Sequence, residues 1–584
     1  MNTSHSDSRT RTRRVRAVIA LAALAFLIGA VVGAGHGGSA ATGVAERFAT
    51  AWSHGNYAAM YADVDDATHR RITAHGFADA YRQAARTATE TGLVLHGKAK
   101  AQSDGSILLP VLVSTRVWGR LAEQLRLKAV ADPDGEHVRW SHALLFPGLT
   151  AGESLSRQTR LPARAALQAR DGTVLAEGEA SEPGTRNSPL GAAADAAIGE
   201  VGSIPSTRAA QLEAEGVPGN AIVGVSGLEL AFDSRLRGRA GGDLLAGGRI
   251  LASAPTKPGE AVRSTISAPL QRTAATALGG QLGGVVALDP RSGEVLAVAG
   301  LGIDDLQPPG STFKMVTLTA VLEAKVASTK SEFPYASSTL LDGVKLENAN
   351  GESCGGSLAL AFAVSCNSVF APLGVKVGAQ RLVATAESYG FNHPPTLPGA
   401  VESTLPPASQ IQGELDLGST AIGQGQVQAS ALQMATVAAT IADGGRKPSL
   451  GFQAHGHQLW PRVVAASTAR TVRRLMIDVV REGTGTSAAI PGVTVAGKTG
   501  TAELGESKCS KNESSGENGE SPGESQSSES CSGSKDPQNT DAWFAAFAPA
   551  LTPKIAVGVL MVKDGAGGET AAPVAKQVIE AALH

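Results

Sequence analysis

Apolar and polar positions along the chain divide it into stretches of different period. Residues 17–35, AVIALAALAFLIGAVVGAG, carry no charge, and about 20 apolar residues suffice to cross a bilayer as a helix. The next run, VAERFATAWSHGNYAAMYADV, places Val44, Phe48, Trp52 and Met60 at helical spacing. Alternating runs follow, such as ILLPVLVSTRVW and HVRWSHALLF, and predict strands of a curved sheet. Residues 41–148 therefore read as one α+β unit. Over 149–265 the apolar period weakens and Gly, Pro, Ala and Arg dominate, as in LPARAALQARDGTVLAEG and VGVSGLELAFDSRLRGRAGG. This composition predicts an extended linker or pedestal rather than a tightly packed core. From Ile266 the pattern strengthens. LQRTAATAL predicts a helix, and GGVVALDPRSGEVLAVAG predicts a hairpin turning through Asp289-Pro290-Arg291-Ser292-Gly293. Helices and strands mix from there to His584, so 266–584 reads as a third unit.

One stretch inside that unit breaks the pattern. Residues 504–538, LGESKCSKNESSGENGESPGESQSSESCSGSKDPQ, are rich in Ser, Glu and Gly and almost free of apolar side chains. Such a segment cannot bury enough surface to fold alone. With strand-like sequence on both sides, it reads as a solvated insert between two strands.

Charge and cysteine content change the picture at particular places. The formal charge of the 584 residues is −2, which argues against a nucleic-acid binder. The neutral total hides Arg9, Arg11, Arg13, Arg14 and Arg16 ahead of the apolar run. Arginines on that side are expected to stay in the cytoplasm, giving a tail over 1–16 and an anchor over 17–35. A cleaved leader ending near Gly38-Ser39-Ala40-Ala41 competes, but the run is longer than a usual signal core. Either way the bulk of the chain is expected outside the cytoplasm, where disulfides persist. The four Cys are too few for a disulfide scaffold. Cys509 and Cys531 either staple the base of the insert, worth on the order of 3 kcal/mol for a ~20-residue loop, or remain free thiols. Cys354 and Cys366 either pair or stay as small buried thiols.

Three short phrases carry the chemistry. Ser311-Thr312-Phe313-Lys314 follows Pro308-Pro309-Gly310 and opens an apolar helical run. That arrangement puts Ser311 at a helix N-terminus and Lys314 one turn on, on the same face. A serine hydroxyl needs an adjacent base to become a nucleophile, and a lysine serves when burial or a second cation lowers its pKa. Ser365-Cys366-Asn367 offers a hydroxyl and an amide to one cleft. Lys498-Thr499-Gly500-Thr501 follows Val493-Thr494-Val495-Ala496, whose alternation predicts a strand. Thr499 and Thr501 would then share a face, and Gly500 would let a ligand approach the backbone. A lysine and two hydroxyls suit a substrate carboxylate.

Competing motifs are weaker. Gly492 to Thr499 matches the phosphate-loop pattern G-x-x-x-x-G-K-[ST], but that loop must lead from a strand into a helix, whereas here strand-like sequence surrounds the lysine. His455 and His457 lack a nearby third ligand and read as a surface turn. No G-x-S-x-G elbow stands out in a supporting context.

In this order, S-x-x-K, S-x-N and K-T-G resemble the signature of penicillin-binding proteins and serine β-lactamases. PPGSTFKMVT, SCNSVFAPLG, AIGQGQVQASALQMATVAATIADGG, GKTGTAE and DAWFAAFAP are similar to the transpeptidase domain, an antiparallel sheet flanked by helices. TRLPARAALQARDGTVLA, VSGLELAFDSRLRGRAGG and PGEAVRSTISAPLQRTAATAL resemble the pedestal or dimerisation domain of class B members. The helices-then-strands order of 41–148 resembles a nuclear-transport-factor-like cone, the extra domain of the methicillin-resistance type.

The resemblance implies a role for each residue. Ser311 would attack a D-Ala-D-Ala stem peptide to form an acyl-enzyme, with Lys314 as its base. Ser365 would relay protons between Lys314 and Lys498, and Asn367 would hold the substrate amide. Thr499 and Thr501 would bind the terminal carboxylate, and the N–H groups of Ser311 and Thr501 would form the oxyanion hole. β-Lactams would be trapped as slow acyl-enzymes. No metal or cofactor is implied, and a class B member would work with a separate membrane glycosyltransferase. Two rivals keep the same nucleophile. A D,D-carboxypeptidase or β-lactamase would release its acyl group quickly, and a β-lactam sensor would need a signalling partner.

Overall fold

A computed structural model of the chain describes residues 40–454, 459–503 and 539–584. The expected tail (1–16) and anchor (17–35), His455 and His457, and the insert 504–538 with Cys509 and Cys531 lie outside the described residues. Among the described residues no helix is long and apolar enough to cross a membrane. The chain forms two compact units. One contains 40–160, Ala210–Pro218 and Ala240–Pro255; the other contains Leu161–Ala209, Gly219–Arg239 and Thr256–His584. Segments of the expected pedestal, 149–265, thus enter both units.

The first unit opens with helices Ala40–Ser53, Tyr57–Ala62 and Ala74–Thr87. Val44, Phe48 and Trp52 share the buried face of the first helix. Met60, which continues their spacing, belongs to the second. Gly55 turns the chain at φ 66, and the Asn56 side chain caps the new helix by accepting from the Ala59 N–H. The helices are followed by antiparallel strands Glu90–Leu95, Ser106–Thr115, Gly119–Asp132 and Gly135–Val138, paired in that order. The run ILLPVLVST alternates as expected, with Ile107, Leu109, Val111 and Val113 facing the core. The run HVRWSHALLF does not. It is strand only as far as Val138, and His142–Leu144 is a turn of 3-10 helix. Trp140, Leu144 and Phe146 close the end of the core, and Trp140 Nε1 donates to Tyr81 Oη at 3.1 Å. Alternation alone does not distinguish that plug from a strand.

In the second unit, the phrases expected to be loosely packed bury an ion-pair network. Arg164 donates to Glu229 (2.6 Å) and to Asp233 (2.8 Å), Arg186 donates to Glu229 (2.7 Å), and Arg208 and Arg237 donate to Asp233 (2.7 and 3.0 Å). Glu229 and Asp233 are an i, i+4 pair on the short helices Gly227–Ala231 and Asp233–Leu236. Burial would raise the Asp233 carboxyl, but Arg164, the Gly224 N–H and Arg208 hold it below its ordinary value. Leu167, Ala169, Leu175, Leu228 and Leu236 are fully buried in the same apolar cluster as the rest of this unit.

The sheet that positions the site has five antiparallel strands. They are β1 (Gly283–Leu288), β2 (Val295–Gly300), β3 (Ala496–Glu503), β4 (Thr540–Ala548) and β5 (Ile555–Met561). Their spatial order is β2-β1-β5-β4-β3, which leaves β3 at an edge. The β1–β2 hairpin turns at Asp289–Gly293 as expected. β1, β4 and β5 are buried almost throughout, because helices cover both faces. Ala268–Leu278 and Ala571–Leu583 lie on one side. Ala431–Ala442 lies on the other, buried along its whole length against Gly558 of β5.

Candidate active site

The apolar run after Pro309 folds as a 3-10 turn, Gly310–Phe313, leading into helix α1, Lys314–Glu323. Every residue of α1 from Lys314 to Val321 is buried, so the helix carries its first side chain, a lysine, into the interior. Gly310 has φ 50, and a Cβ there would meet the Thr501 carbonyl at 2.7 Å. This close approach brings the backbone of Ser311 against that of Thr501 on β3. Gly500 has a similar constraint, since its Cβ would meet the Pro309 carbonyl at 2.7 Å and Trp543 Cβ at 2.9 Å. Both glycines are required for the serine turn to lie on the sheet edge.

Ser365 follows the short helix Leu358–Ala363, and helix α2, Asn367–Val377, begins two residues later. Ser365 takes φ 62, a left-handed conformation usually given to glycine after a helix end. The conformation costs energy for a residue with a Cβ. The turn directs the Ser365 carbonyl at Lys314 Nζ (2.6 Å) and its hydroxyl at Lys498 Nζ (2.9 Å). Cys354 and Cys366 form a disulfide, so of the two arrangements open in the sequence, the structure has the pair.

The expected residues converge. Lys314 Nζ lies 2.9 Å from Ser311 Oγ, 2.5 Å from Asn367 Oδ1 and 3.4 Å from Ser365 Oγ. Lys498 Nζ also donates to the Thr499 carbonyl at 3.1 Å. Both lysines are fully buried. Burial, and then the charge of Lys498, pushes Lys314 well below the ordinary lysine range. Burial alone pushes Lys498 down to about 7. A neutral Lys314 amine beside a serine hydroxyl can accept its proton, and Ser365 bridges the two amines. Strand β3 begins at Ala496, so Val493-Thr494-Val495, expected as strand, only leads into it; Val493 pairs back to Ile490 in a tight turn. The lysine of the phosphate-loop pattern therefore sits inside a strand, without the helix N-terminus such a loop requires.

Two neighbours escaped the sequence reading. Thr484 Oγ1 lies 2.5 Å from Thr499 Oγ1, adding a third hydroxyl beside Thr499 and Thr501. The Gly567 N–H donates to Thr501 Oγ1 at 3.4 Å. The run Glu482-Gly483-Thr484-Gly485-Thr486, just after a helix, was the available signal. Among the described residues, no group of three or more His, Cys, Asp or Glu side chains could hold a metal ion.

Residues 283–580, just over half of the chain, match the penicillin binding protein transpeptidase domain. The chain belongs to this family. Residues 179–263 match its dimerisation domain, and 40–153 match the NTF2-like N-terminal transpeptidase domain. The peptidoglycan D,D-transpeptidase PbpA of Mycobacterium tuberculosis is 36% identical over 313 residues, covering 48% of this penicillin-binding protein and 56% of that relative. The chain thus spans little more than half the length of that relative. The PbpA of Mycolicibacterium smegmatis is 34% identical over 429 residues, covering 62% and 80% respectively. The structure of penicillin-binding protein A from M. tuberculosis, a ceftriaxone acyl-enzyme complex, aligns with TM-score 0.55 and 27% identity over 73% of this chain and 99% of that one.

Proposed function

We propose that this protein is a serine D,D-transpeptidase that cross-links peptidoglycan stem peptides. The observation that carries the reading is the approach of the buried Lys314 Nζ, which burial and Lys498 push well below the ordinary lysine range, to Ser311 Oγ at 2.9 Å. In this reading Ser311 Oγ attacks the carbonyl between the two D-Ala residues and passes its proton to Lys314. The N–H groups of Ser311 and Thr501 receive the developing oxyanion. The leaving D-Ala amine takes a proton delivered through Ser365, which links Lys314 to Lys498. The amine of a second stem then attacks the ester carbon and frees Ser311. Asn367 holds the donor amide. Thr499, Gly500 and Thr501 line the carboxylate site, and Lys498 supplies positive potential.

The same reading makes β-lactams long-lived acylating inhibitors. It places residues 17–35 as a single-pass anchor with the catalytic unit outside the cytoplasm, over the tail 1–16, and it expects a membrane glycosyltransferase to supply glycan strands. The domain boundaries at 41–148, 149–265 and 266–584 belong to this reading too. Labelling of the full chain with fluorescent penicillin tests it. Labelling is expected for the parent, with persistence for many minutes, and is expected to vanish in Ser311→Ala. Release within seconds would favour a β-lactamase or D,D-carboxypeptidase.

A further inference from the structure

The turn bearing Ser365 and Asn367 is held from outside the three motifs. The hairpin Ser338–Leu341 with Val344–Glu347 ends at Glu347, whose carbonyl accepts from Asn367 Nδ2 at 3.0 Å. The next residue, Asn348, is buried, and its carboxamide uses both ends. Nδ2 donates to the carbonyls of Ala336 and Glu352, each at 2.8 Å, while Oδ1 accepts the Ser368 N–H at 2.8 Å. Its own N–H donates to the Ser337 carbonyl at 2.9 Å. Asn348 therefore ties two surface segments to the first turn of α2, one residue beyond Asn367. Only a planar amide offers two donors and an acceptor in this arrangement.

We propose that Asn348 is a positioning residue for catalysis, clasping the N-terminus of α2 so that Asn367 Oδ1 and the Ser365 carbonyl stay on Lys314 Nζ. The proposal rests on the transpeptidase reading. The disulfide grips Cys366, and Asn348 grips Ser368, so the turn is fixed on both sides of Asn367. Loss of the Asn348 clasp lets both oxygens retreat from Lys314. Those oxygens stabilise the ammonium form, so their retreat lowers the lysine pKa further. Misplacing the base also slows acylation, since a displacement of about 1 Å can cost roughly a hundredfold.

The test is the rate of benzylpenicillin acylation against pH for the parent, Asn348→Ala and Asn348→Asp, with the disulfide intact and folding followed by circular dichroism. The near-isosteric Asp keeps the volume and an acceptor but has no amide donors for the Ala336 and Glu352 carbonyls. Both variants are expected to fold, to acylate about tenfold to a hundredfold more slowly, and to show the acid limb of the profile at lower pH. A rate close to the parent's, a loss with the limb unmoved, or failure of both variants to fold would overturn the proposal. A parent that is not acylated at all would instead overturn the transpeptidase reading, and this proposal with it.

Discussion

Two buried lysines dominate the candidate site at the scale of single residues, and their burial works against the fold. Lys498 has a native pKa of about 7 against an ordinary 10.5. Between those values the unfolded chain binds the proton more tightly, so this group destabilises the native state below 10.5, and the penalty fades as pH rises. Lys498→Met is therefore expected to stabilise the catalytic unit most at neutral pH, with the gain shrinking towards pH 10. Urea unfolding of the parent and the variant at several pH values checks this, and a gain independent of pH would contradict it. That Ser311, Lys314, Ser365, Asn367 and Lys498 gather in one place was legible because each motif is a short local phrase. Thr484 and Asn348 were not, because their partners lie 15 and 20 positions away in the chain; a glycine-flanked turn after a helix was the one local sign of Thr484, and Asn348 had none.

At the scale of elements, close backbone contact fixes where helices meet the sheet. The helix Ala431–Ala442 crosses β5 at Gly558, where a Cβ would stand 2.1 Å from the Ala431 carbonyl. Gly558→Ala is expected to cost about 1–3 kcal/mol by overpacking, measured as a shift in the denaturation midpoint. A neutral effect would show that helix and strand can separate freely. Element types were readable where one period dominated, as in the β1–β2 hairpin. They were misread where a plug of large side chains imitated alternation, as in HVRWSHALLF. Gly119–Asp132 does not stand out in the sequence, because only Leu125 and Leu127 on it are buried and charged residues interrupt the apolar signal.

For the whole molecule, the transpeptidase, dimerisation and NTF2-like stretches were recognisable by their resemblance to known domains, but the interior of the Arg-rich stretch was not readable. Arg164, Arg186, Arg208 and Arg237 look like solvated charges in sequence. They converge on Glu229 and Asp233 only when segments up to 69 residues apart are brought together. Such a network is conditional on its completeness, since removal of one member strands buried charge. The catalytic account has a more direct test. The full chain is incubated with a peptide ending in D-Ala-D-Ala and with an amine acceptor, and both products and protein are analysed by mass spectrometry. The expected result is an acyl adduct on Ser311 together with the acceptor amide, both absent in Ser311→Ala. Amide formation that survives the substitution, or an adduct on another residue, would contradict the account.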